Sequence, residues 1–186
     1  ITLREEPLRD FVNRFLKRMF DLIFSLFVVI FVLSWMYAIV AILIKLSSKG
    51  PVIFKQLRSG VNNEEFMCYK FRSMRMSSDS DLKQAVEGDS RLTKIGAFLR
   101  KTSLDEFPQF LNVLMGDMSI VGPRPHPLNL NKEFERRVAG FKKRHRFKPG
   151  ITGLAQSMGY SGFISSAQDM NERVKMDIFY FKNWNF

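Results

Sequence analysis

Two neighbouring carboxylates, Asp105 and Glu106, are the first residues in this chain whose type and spacing could do chemistry. They lie in the stretch Ser103-Leu104-Asp105-Glu106-Phe107-Pro108. An aspartate near a helix start is kept ionised, so it is available as a nucleophile or as a ligand of Mg²⁺. A simpler interpretation is a capping box, in which Ser103 and Glu106 close the start of a helix. The two interpretations are compatible, because a helix cap can also carry chemistry.

Four basic residues could neutralise phosphate groups near this acidic pair. Arg124 lies in Gly122-Pro123-Arg124-Pro125, where two prolines restrict the backbone, so its guanidinium loses less entropy when it binds a phosphate with both arms. Lys70 and Arg72 alternate with aromatic residues and are expected to point to one face of a strand. Arg100 precedes the acidic pair by about one helical turn. For each of them, a solvated surface charge is the alternative.

An uncharged apolar segment from residue 22 to residue 44 must help to position these groups. About 20 such residues form a helix long enough to cross a hydrocarbon layer, and few buried helices of soluble proteins are apolar on every face. Basic residues flank both ends, although a spanning helix carries them mainly on one side. A re-entrant helix that bends near Ser34, where the hydroxyl can bond to a backbone carbonyl, fits these flanks better than a spanning helix. Both remain open from the flanks alone.

Composition limits the class of protein. The 186 residues carry a formal net charge of +11, 46% of them are hydrophobic, and there is one cysteine. These values exclude a disordered tail and a disulfide scaffold, and the length suggests one domain. The positive charge indicates a phosphate-bearing partner. The run Lys142-Lys143-Arg144-His145-Arg146 could bind nucleic acid, but no nucleic-acid motif accompanies it, so an anionic membrane surface explains the charge more simply.

The remaining patterns predict mainly helices. A β-hairpin is predicted from Val52 to Arg58 and from Glu65 to Arg72, and residues 76–90 are expected to form a mobile loop. Helices are predicted over residues 92–101, from Leu104 or Pro108 to Leu114, over 131–146 and over 169–182. The expected fold class is α+β, a mainly helical single domain with a small β-hairpin and an N-terminal re-entrant membrane helix.

Several motifs in register resemble the bacterial sugar transferase family, the monotopic phosphoglycosyl transferases. A group of motifs in this order is far more specific than any one of them. The matching stretches cover nearly the whole chain: Asn13–Asp21, Tyr69–Met74, Arg100–Gln109, Asn112–Leu114, Gly116–Ser119, Val121–Pro125 and Lys148–Gln156. Residues 3–8 resemble the linker of larger members and the first residue is not Met. The chain is therefore expected to be the catalytic domain of a large polyprenyl-phosphate hexose-1-phosphate transferase.

The resemblance implies transfer of a sugar-1-phosphate from a UDP-sugar, expected to be a hexose, to polyprenyl (undecaprenyl) phosphate. UMP is released, and the product starts a glycan such as exopolysaccharide, capsule or O-antigen. By resemblance, Asp105 is the nucleophile that holds the phosphosugar covalently and a ligand of Mg²⁺, while Glu106 acts as a base or orders the site. Lys70, Arg100 and Arg124 match positions associated with the phosphates, and Arg72, beside Lys70, is a further substrate-binding candidate.

The resemblance also implies an arrangement at the bacterial plasma (inner) membrane, with the catalytic part on the cytoplasmic face. The expected regions are a linker and interfacial helix (1–18), the re-entrant helix (19–48) and a cytosolic catalytic domain packed on the membrane surface (49–186). Expected partners are anionic lipids and not nucleic acid, and a homo-oligomer is left open. Two departures from the family pattern are Trp35 after Ser34, where many members have Pro, and Ser161, where Arg is common. A non-catalytic membrane adaptor that binds anionic lipid is the competing hypothesis.

Overall fold

The computed structural model of the chain describes residues 6–76, 89–160, 162, 164 and 166–185. One long helix is followed by an α+β body. In chain order the elements are α1 (Phe11–Val28), a π-helical segment (Val29–Leu33), α2 (Ser34–Ser47), β1 (Ile53–Ser59), β2 (Glu65–Phe71), α3 (Lys94–Lys101), α4 (Gln109–Met115), β3 (Ser119–Val121), α5 (Leu128–Arg137), β4 (Gly150–Thr152), α6 (Leu154–Ser157) and α7 (Ala167–Asn183). Within the described residues, 3₁₀ turns lie before α1 at Pro7–Arg9 and between later elements at Val61–Asn63, Leu104–Glu106 and Phe141–Arg146.

The long helix runs without interruption from Phe11 to Ser47 and is the one helix in the described ranges that is long and apolar enough to cross a membrane. It begins at Asp10, whose side chain accepts a hydrogen bond from the backbone N–H of Asn13. Its outer face carries a continuous series of exposed apolar side chains, including Phe11, Phe15, Phe20, Ile23, Phe27, Phe31, Trp35, Ile39, Ile42 and Leu46. The body therefore covers one side of the apolar segment and leaves apolar side chains on its other side uncovered.

The π-helical segment keeps a single face of this helix against the body. The buried positions are Asp21, Ser25 and Val28 before the segment, Leu33 at its end, and Met36, Val40 and Ile44 after it. At about 100° per residue, a regular α-helix would place the second group roughly 60–140° away from Asp21. The π-helical turn accommodates one extra residue, and this brings the buried residues from Leu33 to Ile44 back to within about 40° of the direction of Asp21. The segment thus corrects the phase of the buried face.

Two side chains reinforce the helix next to this segment. The Ser34 hydroxyl donates a hydrogen bond to the carbonyl of Ile30, which confirms the predicted local bond. The indole N–H of Trp35 donates to the carbonyl of Phe31 at 2.8 Å. The polar groups of both side chains, which lie in an apolar segment, are thereby paired with backbone carbonyls.

Two small sheets form the β part of the body. The predicted hairpin is confirmed: β1 and β2 pair antiparallel, from Ile53 opposite Phe71 to Ser59 opposite Glu65. The second sheet was not predicted and consists of β3 and β4 in parallel, with Ser119 opposite Gly150. Strands of three residues are too short to show a hydrophobic period, so the sequence did not predict this pairing.

Three of the predicted helices are confirmed and one is wrong. α3 begins at Thr93, whose hydroxyl oxygen accepts from the N–H of Gly96 at 2.9 Å, α4 ends at Gly116 with φ of 100°, and α7 covers the predicted residues 169–182. The continuous helix over 131–146 is broken, because α5 ends at Arg137 and Gly140 has φ of 78°. Of the loop predicted over 76–90, residues 77–88 lie outside the described residues.

In the described part of the chain, three apolar clusters connect these elements. The first joins the second half of the long helix to β2 and α3 through Ile44, Phe71 and Leu99. The second joins α5, the turn Phe141–Arg146 and α7. The third lies between β2, α4 and β3. Since β2 and α3 contribute to the same cluster as the long helix, the part of the chain that carries the acidic pair is packed directly on that helix. The fold is a single-domain α+β structure, as expected.

Candidate active site

The acidic pair lies in the 3₁₀ turn Leu104–Glu106, between α3 and α4. Ser103, the residue before the turn, has a left-handed backbone with φ of 56°, and its side chain makes no capping hydrogen bond. The predicted capping box of Ser103 and Glu106 is therefore wrong. The reason is tertiary, because the Glu106 carboxylate turns towards basic side chains from two other elements.

Glu106 joins Lys70 of β2 to Arg124 of the turn after β3. Its Oε1 accepts from Lys70 Nζ and from Arg124 Nη2, both at 2.6 Å, and its Oε2 accepts from Arg124 Nη1 at 3.2 Å. Burial by itself would raise the pKa of Glu106, but the charges and hydrogen bonds of Lys70 and Arg124 outweigh it and lower the pKa to about 2. Glu106 is thus ionised at neutral pH and is a poor proton acceptor.

Asp105 lies in a contrasting environment although it is adjacent in the chain. Its side chain is buried, with 8% of the residue exposed, and no residue that the structure describes donates a hydrogen bond to its carboxylate. Burial raises the pKa of Asp105; the charge of Lys70 opposes this rise, and the charge of Glu106 reinforces it. The lone pairs of this carboxylate are therefore available for a nucleophilic attack or a metal ion.

Arg100 of α3 lies near the acidic pair, without a hydrogen bond to it among the described residues. Its Nε donates to the hydroxyl of Ser73 at 2.8 Å, and its charge acts on Asp105. α3 can approach Ser73 this closely because Gly96 has no side chain: a Cβ there would lie 1.8 Å from the Ser73 carbonyl oxygen. Ser73 belongs to a stretch that resembles the family, yet the sequence assigned it no role.

Arg72 does not join this group. Its guanidinium donates to the carbonyls of Ser48 at 2.6 Å and Lys49 at 3.0 Å, so it pairs backbone oxygens that the end of the long helix leaves without partners. The expectation that Lys70 and Arg72 share one face does not match these contacts, since Lys70 binds Glu106. A substrate contact by Arg72 stays a prediction, whereas its attachment of β2 to the helix end is observed.

Asn112 on α4 aligns the strand that carries Lys70. Its Oδ1 accepts from the backbone N–H of Tyr69 at 3.0 Å, and its Nδ2 donates to the carbonyl of Met67 at 2.7 Å. The side chain thus supplies the edge of β2 with the two hydrogen bonds that a further strand would have made. No signal beyond its place in a family motif pointed to this role.

The turn that carries Arg124 is built jointly with β4. The N–H of Gly122 donates to the Thr152 carbonyl and the N–H of Gly150 donates to the Pro123 carbonyl, each at 2.9 Å. A Cβ on Gly150 would lie 2.1 Å from the nitrogen of Gly122, so both glycines are required by a close backbone approach. Two motifs that are separate in the sequence therefore form one structural unit.

Two arginines support the same turn, the half-buried Arg58 and the buried Arg144, and neither is a predicted site residue. Arg58 donates to the carbonyl of Pro125 at 2.7 Å, and Arg144 donates to the carbonyl of Arg124 at 2.9 Å. Arg144 is only 3% exposed. The interpretation of its basic run as a lipid-facing surface therefore needs correction, because Arg144 and His145 point into the protein. The outward charges of that run include Lys142, which pairs with Glu135 at 2.8 Å.

A long helix with an uncovered apolar face, packed on a site with one free carboxylate and several positioned cations, is typical of an enzyme that acts on phosphate groups at a membrane. Residues 12–186 match the bacterial sugar transferase family, and the chain belongs to this family.

Known relatives carry specific names. The chain is similar to a UDP-glucose:undecaprenyl-phosphate glucose-1-phosphate transferase of Escherichia coli (strain K12), with 44% identity over 186 residues, 100% of this chain and 40% of the relative. It is similar to the exopolysaccharide production protein PSS of Rhizobium leguminosarum bv. phaseoli, with 45% identity over 91% of this chain and 87% of the relative. A third relative is a UDP-N-acetylgalactosamine-undecaprenyl-phosphate N-acetylgalactosaminephosphotransferase of Aeromonas hydrophila, 41% identical over 94% of this chain and 41% of the relative. The chain spans about two fifths of the E. coli relative.

Proposed function

We propose that this chain transfers a sugar-1-phosphate from a UDP-sugar to polyprenyl phosphate, with a hexose such as glucose as the sugar. The observation that carries the proposal is that Asp105, whose carboxylate has no hydrogen-bond donor among the described residues, is adjacent in the chain to Glu106, which binds Lys70 and Arg124. The names of the relatives support the substrate class: the E. coli protein is named for UDP-glucose and the A. hydrophila protein for UDP-N-acetylgalactosamine.

The reaction proceeds in two displacements at one phosphorus atom. A carboxylate oxygen of Asp105 attacks the phosphorus that bears the sugar, and the bond from this phosphorus to the bridging oxygen breaks, so that UMP leaves with the electron pair. An oxygen of the lipid phosphate then attacks the same phosphorus and releases the Asp105 carboxylate. The product is a polyprenyl diphosphate sugar, and no proton has to be removed from either attacking group.

Because both attacking groups and the donor are anions, the site has to offset their repulsion. Lys70 and Arg124 are held beside Asp105 by Glu106, and Arg100 adds a third cation. With its pKa of about 2, Glu106 serves to keep two cations in place and not to remove a proton. Of the two roles that the family resemblance allowed for Glu106, the ordering role is the one proposed here.

The residues present suit a Mg²⁺ ion, which would add charge neutralisation at the diphosphate. Mg²⁺ is commonly held by one or two carboxylates together with substrate phosphates and water. Asp105 offers a carboxylate without a hydrogen-bond donor among the described residues, whereas the same part of the chain has no group of three His, Cys, Asp or Glu side chains that could hold a metal alone. We therefore propose Asp105 as the protein ligand of a Mg²⁺ ion that is shared with the donor.

We further propose that the long helix is re-entrant at a plasma membrane, with the body on the cytoplasmic face. Buried contacts follow the helix on both sides of the π-helical segment. Arg18 donates to the carbonyls of Val113 and Leu114, while Ile44 lies in the cluster with Phe71. A helix that crosses the bilayer would need about 20 residues away from the body. The longest interval between buried positions, from Val28 to Leu33, is far shorter.

The orientation is tested with a double variant, Arg14→Cys and Lys49→Cys, in sealed vesicles treated with a membrane-impermeant maleimide. The native Cys68 is buried and does not compete. A re-entrant helix gives molecules with two labels or none, since both positions lie on one side. A spanning helix gives one label on every molecule and would refute the re-entrant arrangement.

The activity is tested by incubating the chain in lipid nanodiscs with polyprenyl phosphate, Mg²⁺ and each of a panel of UDP-sugars, and by measuring UMP. We expect UMP from one hexose donor and none from Asp105→Asn. Glu133→Gln is the matched control, because this carboxylate is half exposed on α5 and pairs only with Arg137 in the described region. Without lipid phosphate, the peptide that contains Asp105 should gain the mass of a sugar phosphate.

Two results would contradict the proposal. UMP release that survives in Asp105→Asn would exclude the covalent route through this carboxylate. Folded, lipid-bound chain that releases no UMP from any donor would favour the adaptor, in which the uncovered apolar face serves only to attach the protein to the membrane.

A further inference from the structure

A buried ion pair lies directly behind the turn that carries Arg124. Arg144 Nη2 is 3.1 Å from Asp177 Oδ2 of α7, and the two side chains are each 3% exposed. The same Nη2 donates to the Arg124 carbonyl at 2.9 Å, and Arg144 Nη1 is 2.6 Å from Nδ1 of His126. One guanidinium therefore connects α7 to the backbone carbonyl of Arg124 and to the imidazole of His126.

Stability alone does not account for this pair. Removing two charges from water costs several kcal/mol per ion, to order of magnitude, and apolar residues of similar volume are often equally stabilising. An apolar replacement would suit this position, because Arg144 lies over the ring of Phe141 at 5.3 Å and next to Met170. An apolar side chain could not, however, donate a hydrogen bond to the carbonyl of Arg124.

The geometry of the guanidinium suits this task. Its rigid planar arrangement of donors can address acceptors in several directions, whereas an ammonium is a single point charge. As Arg144 is a donor, Nδ1 of His126 accepts, and the proton of this neutral imidazole is on Nε2. Burial and the charge of Arg144 place the pKa of His126 well below its usual value. The arrangement therefore stays the same across the neutral pH range.

We propose that Arg144 and Asp177 are positioning residues of the transfer reaction. Asp177 orients Arg144, the guanidinium of Arg144 fixes the backbone of Arg124, and Arg124 in turn holds Glu106 next to Asp105. The inference rests on the proposed function, and it adds a chain of contacts from α7 to the acidic pair. A misplacement of about 1 Å by a distant mutation can cost on the order of 100-fold in rate, so loosening this support should lower turnover.

A double-mutant cycle tests this role. Arg144→Lys keeps a positive charge opposite Asp177 but cannot reach Asp177, His126 and the Arg124 carbonyl together. We expect it to lower kcat at least tenfold with little change in KM for the donor. In an Arg124→Lys background, the same change should lower kcat by less than twofold, because Arg144 acts through Arg124.

Val174→Ala is the matched control for a purely structural effect. Val174 is buried on α7 in the apolar cluster that includes Phe141 and Met170, the two residues that Arg144 contacts. Its truncation therefore loosens that cluster without removing a contact to Arg124. We expect the same small effect on kcat in both backgrounds. Full additivity of Arg144→Lys and Arg124→Lys would overturn the positioning role.

A spectroscopic measurement separates this inference from the proposed function. The guanidinium N–H protons of Arg124 are observed through their ¹⁵N NMR signals, which are assigned by their loss in Arg124→Lys. In the unmodified chain these protons should be protected from exchange with water, because both Nη groups donate to Glu106. Arg144→Lys should abolish that protection and Val174→Ala should preserve it, whether or not the chain releases UMP. Unchanged protection in Arg144→Lys would refute the inference even if the transferase activity is confirmed.

Discussion

The carboxylates of Asp105 and Glu106 are neighbours in one 3₁₀ turn, but their pKa values are shifted in opposite directions. Glu106 accepts three hydrogen bonds from Lys70 and Arg124, and its pKa is lowered to about 2. Asp105 has no donor among the described residues, and burial raises its pKa. Environments that separate the pKa values of two adjacent acids assign them different roles. Here Glu106 organises cations and Asp105 is left reactive.

Removing the reactive carboxylate should stabilise the protein. Asp105→Asn is expected to raise Tm at pH 8, because ionised Asp105 is less favourable in the folded chain than in the unfolded chain. An acid whose pKa is raised in the folded chain lowers the stability of the fold at pH values above that pKa. The increase in Tm caused by Asp105→Asn should therefore shrink as the pH falls through the folded pKa of Asp105. Differential scanning calorimetry from pH 8 to pH 5 checks this, with Glu133→Gln as a control that should not change Tm. A lower Tm for Asp105→Asn at pH 8 would contradict it.

Neutralising the other carboxylate should have the opposite effect on stability. Glu106→Gln leaves Lys70 and Arg124 close together without their anion, and we expect a loss of about 2–4 kcal/mol in the free energy of unfolding. This loss should be present at neutral pH and should fade as the pH falls from the ordinary 4.5 towards about 2, since a lowered folded pKa stabilises only above it. Urea denaturation at several pH values measures the difference.

The same variant distinguishes an ordering role from a role as general base. Without the negative charge of Glu106, the pKa of Asp105 should fall, because one repulsive neighbour is removed while the cations remain. The acidic limb of kcat/KM for the residual activity should therefore move to lower pH. If Glu106 were the base, that limb would disappear in Glu106→Gln.

The phase correction in the long helix can be tested by deletion. Deleting Phe31 should convert the π-helical segment to regular α-helix and keep Met36, Val40 and Ile44 on the buried face, with a loss below about 1 kcal/mol. Deleting Ile39, which is similarly exposed, should turn Val40 and Ile44 by about 100° away from the body. The free energy of unfolding should then fall by about 3 kcal/mol or more. Thermal unfolding in detergent micelles compares the two. Equal losses would show that the segment does not set the phase.

The close approach of α3 to Ser73 should not tolerate a methyl group. Gly96→Ala gains about 1 kcal/mol of helix propensity, but its Cβ would lie 1.8 Å from a backbone oxygen. We expect the clash to dominate, with a net loss of stability of about 2 kcal/mol and displacement of Arg100 from Ser73. The control Ala97→Gly, on the exposed side of α3, should lose only the propensity. Calorimetry of both variants is sufficient, and a stabilised Gly96→Ala would overturn this account.

Much of the architecture could be predicted from local sequence because its causes are local. The apolar segment, the hairpin and the Gly116 end of α4 follow from periodicity, from β-branched and aromatic runs, and from a glycine at the helix end. The Thr93 cap of α3 was not predicted, since that helix was expected to begin at residue 92. Family motifs also indicated Asp105, Glu106, Lys70, Arg100 and Arg124, and the structure brings these side chains into one group.

Contacts between distant segments were decided by the tertiary structure. Whether Glu106 caps a helix or binds two cations depends on where β2 and the Arg124 turn lie, and neither is within 15 residues of it in the chain. The basic run that contains Arg144 was predicted to face an anionic membrane surface, but Arg144 is buried, where Asp177 from α7 and the carbonyl of Arg124 compensate the loss of water. The residue types and their order thus determined the chemistry available to this protein. Packing determined the roles, because the pKa and orientation of each charged group depend on which distant charges and carbonyls surround it.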